Sequence, residues 1–169
     1  MNQIGLNRVR RIVCAMSGGV DSSISAALLK KKGKARFGFR IMSDSHIEHH
    51  SLGYEVVGCF MRNWEKHEDD DSAIKCSNDQ DLDDANYVCE KLNIRLHIVD
   101  FIREYWMNVF EPFLSDYQDG LTPNPDILCN KHVKFRALFN YCRERLDIQH
   151  LATGHYAQIE YDQREKIKY

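Results

Sequence analysis

The segment Ser17–Ser23 (SGGVDSS) joins a short apolar run to a stretch with helical periodicity. The apolar run Ile12–Met16 predicts a buried strand, and apolar residues at helical spacing predict a helix over Val20–Lys32 with Gly33 as its C-cap. Two glycines at such a junction let the backbone approach a ligand closely, and the helix N-terminus offers unpaired N–H groups to an anion. The segment therefore predicts a phosphate-binding loop, with an ordinary glycine turn capped by Ser or Asp as the alternative.

The polar residues of this segment predict how such a loop would act. Ser17, Ser22 and Ser23 add hydroxyl donors for phosphate. Asp21 would repel phosphate, so we expect it either to cap the helix or to help hold a magnesium ion. No G-K-[ST] follows the glycines, so the loop is not of the Walker type.

Strand and helix patterns alternate along the rest of the chain. Further strands are predicted at Tyr54–Met61, Arg95–Phe101 and His150–Thr153, and further helices at Leu82–Leu92, Trp106–Tyr117 and Lys131–Leu146. The third strand alternates apolar residues at Leu96, Ile98 and Phe101. Pro112 should kink the helix in which it falls or mark its start. This alternation predicts an α/β fold, a parallel sheet with crossover helices.

The composition is that of a globular chain and excludes several functional classes. The 169 residues suffice for one α/β domain, and a net charge of −2 provides no overall basic field for nucleic acid. No run approaches about 18 apolar residues, so no membrane span is predicted. None of the six cysteines forms a C-x-x-C pair, which argues against a zinc ribbon or a thioredoxin-type motif. Given the net charge, any RNA contact must come from local patches or from parts not present in this chain.

A second informative segment is Thr122–Lys131 (TPNPDILCNK), which holds two of the three prolines. Pro123 and Pro125 fix φ and restrict the residues before them, which predicts a stiff loop. Cys129 follows this loop directly. The segment therefore places a cysteine on a rigid support.

Cys129 lies at the predicted start of the Lys131–Leu146 helix, with Lys131, His132 and Lys134 close in sequence. A helix N-terminus and nearby cations both stabilise thiolate over thiol. Cys129 is thus a candidate nucleophile, and Asp126 is a candidate acid, base or orienting group one turn away. The alternative is a buried structural cysteine beside a proline-rich turn.

The other cysteines fit a structural role better. Cys14 and Cys59 fall within apolar strands, and Cys89 and Cys142 fall on the apolar stripes of helices. Cys76 lies in a polar stretch, and its role is left open. Without a signal peptide we expect a reducing compartment and mostly free thiols.

These segments resemble the motifs of known families. Ser17–Ser23 resembles the pyrophosphate loop of the ATP pyrophosphatases, which split ATP between the α and β phosphates; GMP, NAD and argininosuccinate synthetases carry similar loops. Gly120–Lys131 closely resembles the motif of the tRNA-specific 2-thiouridylases of bacteria and mitochondria. Four further segments resemble that family in its order, at Tyr54–Trp64, Glu104–Phe110, Lys131–Phe135 and Ala152–Tyr156.

This resemblance implies an adenine nucleotide alpha hydrolase-like domain that uses ATP and Mg²⁺ to adenylate O2 of the wobble uridine in tRNAs for Lys, Glu and Gln. A persulfide from a sulfur-donor protein then displaces AMP to give 2-thiouridine. Asn124, Pro125 and Asp126 would approach the target base, with Cys129 as a catalytic cysteine. His155 is left open between a phosphate contact and a structural hydrogen bond. The nucleotide would contact Ala15, Met16, Ser17, Gly18, Gly19, Val20, Asp21, Ser22, Met61 and Gly154.

The resemblance breaks in two places. Residues 34–52 look like an insertion in a pyrophosphatase-type domain over 8–158, and its His46, His49 and His50 are expected in a solvated loop rather than a metal site. Residues 159–169 form a charged tail, beyond which the family places its second, persulfide-carrying cysteine, a tRNA-contact segment and C-terminal tRNA-binding domains. The resemblance also implies a disulfide bond.

Three functions stay open at this point. The first is a 2-thiouridylase, of which this chain supplies ATP binding and one catalytic cysteine. The second is an incomplete isoform or fragment that binds nucleotide, or nothing, without catalysis. The third is another pyrophosphatase-type ligase such as a GMP synthetase, which the Cys129 segment disfavours. The insertion points to a eukaryote and so to mitochondria, with which Arg8, Arg10 and Arg11 are compatible; otherwise the expected location is cytoplasmic.

Overall fold

A single sheet forms the centre of the molecule. The computed structural model describes residues 11–31, 40–42, 54–64 and 77–156. Within these ranges, four parallel strands and one antiparallel edge strand run in the order β2-β5-β1-β3-β4. The strands are β1 (Arg11–Met16), β2 (Arg40–Met42), β3 (Glu55–Arg62), β4 (Arg95–Asp100) and β5 (Leu151–Thr153). The predicted α/β fold with a parallel sheet is confirmed.

The two edges of the sheet differ from the sequence expectations. β2 lies within 34–52, which was predicted as a solvated loop, and it pairs antiparallel with β5. A strand of three residues is too short to show a period of two, so the pattern could not reveal it. In β4, Ile98 is 47% exposed, whereas Val99 and Phe101 are buried. His46, His49 and His50, which were expected in a solvated loop, lie outside the described residues.

The first two helices cover one face of the sheet. Helix α1 (Val20–Lys30) ends two residues before the predicted end, with Lys31 as its C-cap. Gly33, the predicted cap, lies outside the described residues. Helix α2 (Ser77–Lys91) follows β3 and confirms the stripe over Leu82–Leu92.

Residues 102–118 form a helical run that changes geometry before Pro112. It consists of α3 (Ile102–Tyr105), a π-helical turn π1 (Trp106–Phe110) and α4 (Glu111–Gln118). Proline lacks an N–H, and its ring collides with the preceding turn of an α-helix. The N–H of Glu111 bonds to the carbonyl of Trp106, five residues back. The predicted interruption at Pro112 is therefore a wider turn directly before α4, and the proline lies in the first turn of α4, as a residue that marks a helix start would.

Residues 125–145 form a second such run. It consists of α5 (Pro125–Leu128), a π-helical segment π2 (Cys129–Ala137) and α6 (Leu138–Arg145). The run begins six residues before the predicted start at Lys131, because Pro125 suits a first helical position and Asn124 caps it. Cys129 consequently lies one turn inside the helical run and not at its N-terminus.

Two apolar clusters hold these elements on opposite faces of the sheet. Ile12, Cys14 and Met16 of β1 pack with residues of α1 and α2, whereas Val13 packs with residues of π1, π2 and α6, among them Val133. Both faces are thus covered, as is usual for parallel strands. Fully buried aliphatic side chains such as these each contribute about 1.5–3 kcal/mol. The long helical runs are thereby packed against one face of the sheet.

Candidate active site

The loop between β1 and α1 packs against the backbone of α2. Gly18 has a φ of +75°, and a Cβ at this position would lie 2.4 Å from the carbonyl oxygen of Asp81. An L-residue is strained at this φ, and the atoms it would meet belong to a helix backbone. Position 18 therefore requires glycine both for its conformation and for the close approach of α2.

Serine hydroxyls hold the loop in shape. The Ser22 hydroxyl accepts from the N–H of Ser17 at 3.2 Å and from the Ser17 hydroxyl at 3.1 Å, and it donates to the carbonyl of Gly19 at 3.0 Å. The Ser23 hydroxyl also donates to Gly19, at 2.8 Å. Ser22 and Ser23 were predicted as phosphate donors, but in this structure their hydroxyl protons are directed to the loop carbonyl. Their role here is to shape the loop.

Ser22→Ala is expected to lower the free energy of unfolding by about 1–3 kcal/mol, because it leaves the N–H of Ser17 without its acceptor. Ser23→Ala is the matched control, since it removes one exposed hydrogen bond to the same carbonyl, and its expected cost is below about 1 kcal/mol. Urea unfolding of both variants measures the difference. Equal losses in the two variants would contradict the bracing role of Ser22.

Asp21 occupies the first turn of α1, which has no side-chain cap at Gly19. Its carboxylate accepts a hydrogen bond from the Tyr156 hydroxyl at 2.7 Å, and this bond raises the pKa of that hydroxyl. The contact brings the carboxyl end of β5 to the loop after β1. The magnesium role of Asp21 stays a prediction.

An open pocket of about 190 Å³ lies where the loop, β3 and β5 meet π2. Its lining contains seven of the ten residues that the resemblance assigned to the nucleotide, namely Ala15, Met16, Ser17, Asp21, Ser22, Met61 and Gly154. Gly18, Gly19 and Val20 belong to the same loop and helix start but do not line the pocket. The lining also contains Lys134 and Thr153, which had not been assigned to the nucleotide, and His155, for which a phosphate contact was left open.

Gly154 brings β5 close to the start of α1. A Cβ at this position would lie 2.9 Å from the carbonyl carbon of Asp21 and 2.9 Å from the nitrogen of Ser22. These are backbone atoms, so a larger residue would push the loop and the end of β5 apart. The prediction that Gly154 completes the pocket agrees with its position.

His155 links the end of β5 to π2, the helical segment that begins with Cys129. Its Nδ1 lies 2.8 Å from the Thr153 hydroxyl and its Nε2 lies 3.2 Å from the side-chain oxygen of Asn130. Its ring contacts that of Phe135 at 5.3 Å between centroids. Of the two roles left open for His155, the structural hydrogen bond is present, and the phosphate contact stays a prediction because His155 also lines the pocket. The similarity of Ala152–Tyr156 to a family segment was the only sequence signal for this link.

The segment assigned to the target base is exposed at the start of α5. The side-chain oxygen of Asn124 accepts from the N–H of Asp126 at 3.0 Å and so caps the helix. Pro125 occupies the first turn, and Asp126 is exposed. One oxygen of Asn124 thus has a structural use, while Asp126 is open to a ligand.

Cys129 is buried at 5% exposure, as the first residue of π2. Burial raises the pKa of its thiol, Lys134 lowers that pKa, and Asp126 raises it, with burial the largest effect. The prediction of a stabilised thiolate is therefore wrong for this conformation. The helix N-terminus that should have lowered the pKa lies one turn away, and desolvation outweighs the remaining cation.

The structural reading of the other cysteines is confirmed. Cys14, Cys59, Cys89 and Cys142 are buried in the two apolar clusters, and burial raises the pKa of each thiol, to about 12 for Cys14 and Cys142. All four are free thiols, as is Cys129. The disulfide implied by the resemblance is thus absent from the part of the chain that the structure describes, which does not include Cys76.

A further polar atom was missed by the sequence analysis. Among the residues that the structure describes, the side-chain oxygen of Asn63 is buried without a hydrogen-bond partner, two residues beyond Met61 in the chain. A buried acceptor without a donor is costly, so such an atom calls for an explanation. Asn63 follows the carboxyl end of β3 and does not line the pocket described above.

Comparison with known proteins identifies the family. Residues 10–49 and 42–169 match the family described as tRNA methyl transferase HUP domain. The chain is 46% identical over 156 residues to a tRNA-specific 2-thiouridylase of Haemophilus influenzae and 49% identical over 152 residues to one of Proteus mirabilis. A third, from Malacoplasma penetrans, is 42% identical over 167 residues. This chain belongs to the tRNA-specific 2-thiouridylase family.

The match covers this chain far more fully than it covers the relatives. It spans 92%, 90% and 94% of this chain but 35%, 35% and 40% of the three relatives. Among solved structures, an NMN synthetase from Francisella tularensis is 19% identical over 89% of this chain and 44% of its own, with a TM-score of 0.40. The assignment of this chain to a HUP domain rests on the family match and not on this structural similarity. No helix in the described ranges is long and apolar enough to cross a membrane.

Proposed function

We propose that this chain is the ATP-binding and cysteine-bearing part of a tRNA 2-thiouridylase. One observation carries the proposal: a single pocket is lined both by the loop after β1 and by π2, the helix that begins with Cys129. A nucleotide held by that loop would therefore lie against the helix that supplies the cysteine. The names of the relatives support thiolation of tRNA as the reaction.

The described residues fit ATP with magnesium. The start of α1 offers N–H groups to phosphate, Lys134 offers a positive charge, and Asp21 supplies the one carboxylate in the pocket lining. Met61 adds an apolar wall suited to a base. The pocket of about 190 Å³ is open, so a nucleotide would extend beyond it toward solvent.

In the proposed reaction, O2 of the wobble uridine attacks the α-phosphorus of ATP and pyrophosphate leaves. The terminal sulfur of a persulfide, delivered by a sulfur-donor protein, then attacks C2, and AMP leaves with the oxygen. A thiol next attacks the inner sulfur of the persulfide, so that the S–S bond to the new C2 sulfur breaks, 2-thiouridine is released and a disulfide forms. Asp126, exposed beside Asn124 and Pro125, would contact the target base, and Cys129 would act in the sulfur transfer. Because Cys129 is buried, its thiol must become reachable when tRNA binds.

Thiolation fits the site better than methyl transfer, the reaction named in the family description. A loop that binds phosphate beside a cysteine suits activation of an oxygen followed by attack of sulfur. The alternative of nucleotide binding without catalysis applies to residues 1–169 taken alone, since they span about a third of the relatives' length. The substrate tRNAs for Lys, Glu and Gln, and the mitochondrial location, remain expectations from the resemblance.

Two measurements test the proposal. Residues 1–169 are expected to bind ATP with magnesium, seen as a rise in melting temperature, but to form no 2-thiouridine when given tRNA, ATP and a sulfur donor. The same chain fused to the remainder of the Haemophilus influenzae relative is expected to form 2-thiouridine, detected by mass spectrometry of digested tRNA. Absence of ATP binding would refute the proposal, and product formation by residues 1–169 alone would refute the need for a second part.

A further inference from the structure

Among the described residues, Lys134 is the one lysine or arginine that lines the pocket, and it belongs to the same helix as Cys129. Its side chain is half-buried. The opposite wall, formed by Ser17 and Ser22, contributes hydroxyls and backbone groups without a full positive charge. The strongest attraction for an anion in this pocket therefore comes from the helix that holds the cysteine.

The π-helical geometry of π2 turns Lys134 toward Cys129. In an α-helix, residues five positions apart point about 140° away from each other. Hydrogen bonds from i to i+5 instead stack such residues on one face, and the N–H of Leu138 bonds in this way to the carbonyl of Val133. The positive charge of Lys134 accordingly acts on the thiol of Cys129 and opposes the effect of burial on its pKa.

Few other charges face Cys129. Asp126 on α5 disfavours the thiolate, and Tyr105 on α3 has its own pKa raised by burial, by Cys129 and by Asp126. Neighbouring π1 (WMNVF) contains no ionisable side chain. Lys134 is thus the cation that favours the thiolate among the groups that act on it in the described structure.

We propose that Lys134 is shared between the pocket and the cysteine, so that a polyphosphate in the pocket engages it and keeps Cys129 a thiol, and departure of the polyphosphate returns the charge to Cys129. This inference rests on the proposed function and goes beyond it, because it sets an order of events. Pyrophosphate release would come first and formation of the thiolate second. Lys134 is a positioning and electrostatic residue here, not a nucleophile.

The test is an NMR titration of the 169-residue chain labelled with ¹³C-cysteine, with the Cβ signal of Cys129 assigned through Cys129→Ser. Inorganic pyrophosphate with magnesium is expected to raise the titration midpoint of Cys129 by about 1 pH unit, because it neutralises Lys134. Adenosine, which has no phosphate, should leave the midpoint unchanged. This comparison uses the wild-type chain only, so it does not depend on a variant folding.

Variants separate charge from structure. Lys134→Met should raise the midpoint without ligand by about 1 pH unit and weaken pyrophosphate binding about tenfold. Lys134→Arg keeps the positive charge, so the titration midpoint of Cys129 and the affinity for pyrophosphate should both stay close to those of wild type. Lys131→Met removes an exposed lysine of π2 outside the pocket lining and should change neither.

Two outcomes distinguish this inference from the proposed function. If the chain binds ATP normally but neither pyrophosphate nor Lys134→Met changes the titration midpoint of Cys129, the inference is overturned and the proposed function stands. Failure of wild type to bind ATP or pyrophosphate would overturn both.

Discussion

Gly18→Ala is expected to remove ATP binding and to lower the free energy of unfolding by about 2–5 kcal/mol. A left-handed φ of +75° costs an L-residue about 1–2 kcal/mol. The added Cβ also meets the carbonyl oxygen of Asp81 at 2.4 Å and its Cα at 2.8 Å. Relief requires movement of the α2 backbone or of the loop, and overpacking of this kind costs about 1–3 kcal/mol more. Urea unfolding and calorimetric titration with ATP measure the two effects.

Gly120→Ala is the matched control for this experiment. Gly120 has nearly the same φ, +78°, but a Cβ there meets no atom within 4 Å. Gly120→Ala should therefore lower the free energy of unfolding only by the cost of the left-handed φ, about 1–2 kcal/mol, and should keep ATP binding. Equal losses of stability in the two variants would show that the contact with α2 does not determine the identity of residue 18.

Cys129→Ala is expected to lower 2-thiouridine formation by at least about 10³-fold in the fusion protein that carries the remainder of the Haemophilus influenzae relative, because it removes the proposed reactive sulfur. ATP binding should be unchanged, since Cys129 does not line the nucleotide pocket. The measurement is the initial rate of thiolation with saturating tRNA and ATP.

Cys142→Ala serves as the control for loss of a buried sulfur. Cys142 is fully buried and packs in the same apolar cluster as Cys129. Its replacement should cost stability by a similar mechanism, about 1–2 kcal/mol, while the rate at a temperature where the variant is folded stays within about threefold of wild type. A rate loss shared by both variants would assign Cys129 a structural role instead.

The sequence was most informative where local chemistry decides structure. The glycine-rich junction at Ser17–Ser23 predicted its own strand, loop and helix, because each depends on neighbouring residues and on backbone conformation. The same holds for Pro112, whose missing N–H and ring required an interruption of the helix, although its form as a π turn was not foreseen. Burial of Cys14 and Cys142 likewise followed from apolar periodicity.

Expectations failed where distant residues decide the outcome. The exposed Ile98 lies on an edge strand, which alternation within the strand cannot distinguish from a central one. Short β2 depends on pairing with β5, more than a hundred residues later in the chain. The thiol of Cys129 was expected to ionise easily, but packing against the sheet desolvates it and raises its pKa. The spacing of nearby lysines in the sequence does not reveal this desolvation.

The sequence by itself determined the glycine-rich turn between β1 and α1, the α/β class, the family and the identity of the candidate cysteine, because each rests on residue types at fixed local spacing. Only the tertiary structure decided that Lys134 lines the pocket, that His155 links β5 to π2, and that burial dominates the state of Cys129. These three facts depend on distances and solvent exclusion between segments far apart in the chain, and such quantities arise only when the helices pack on the sheet.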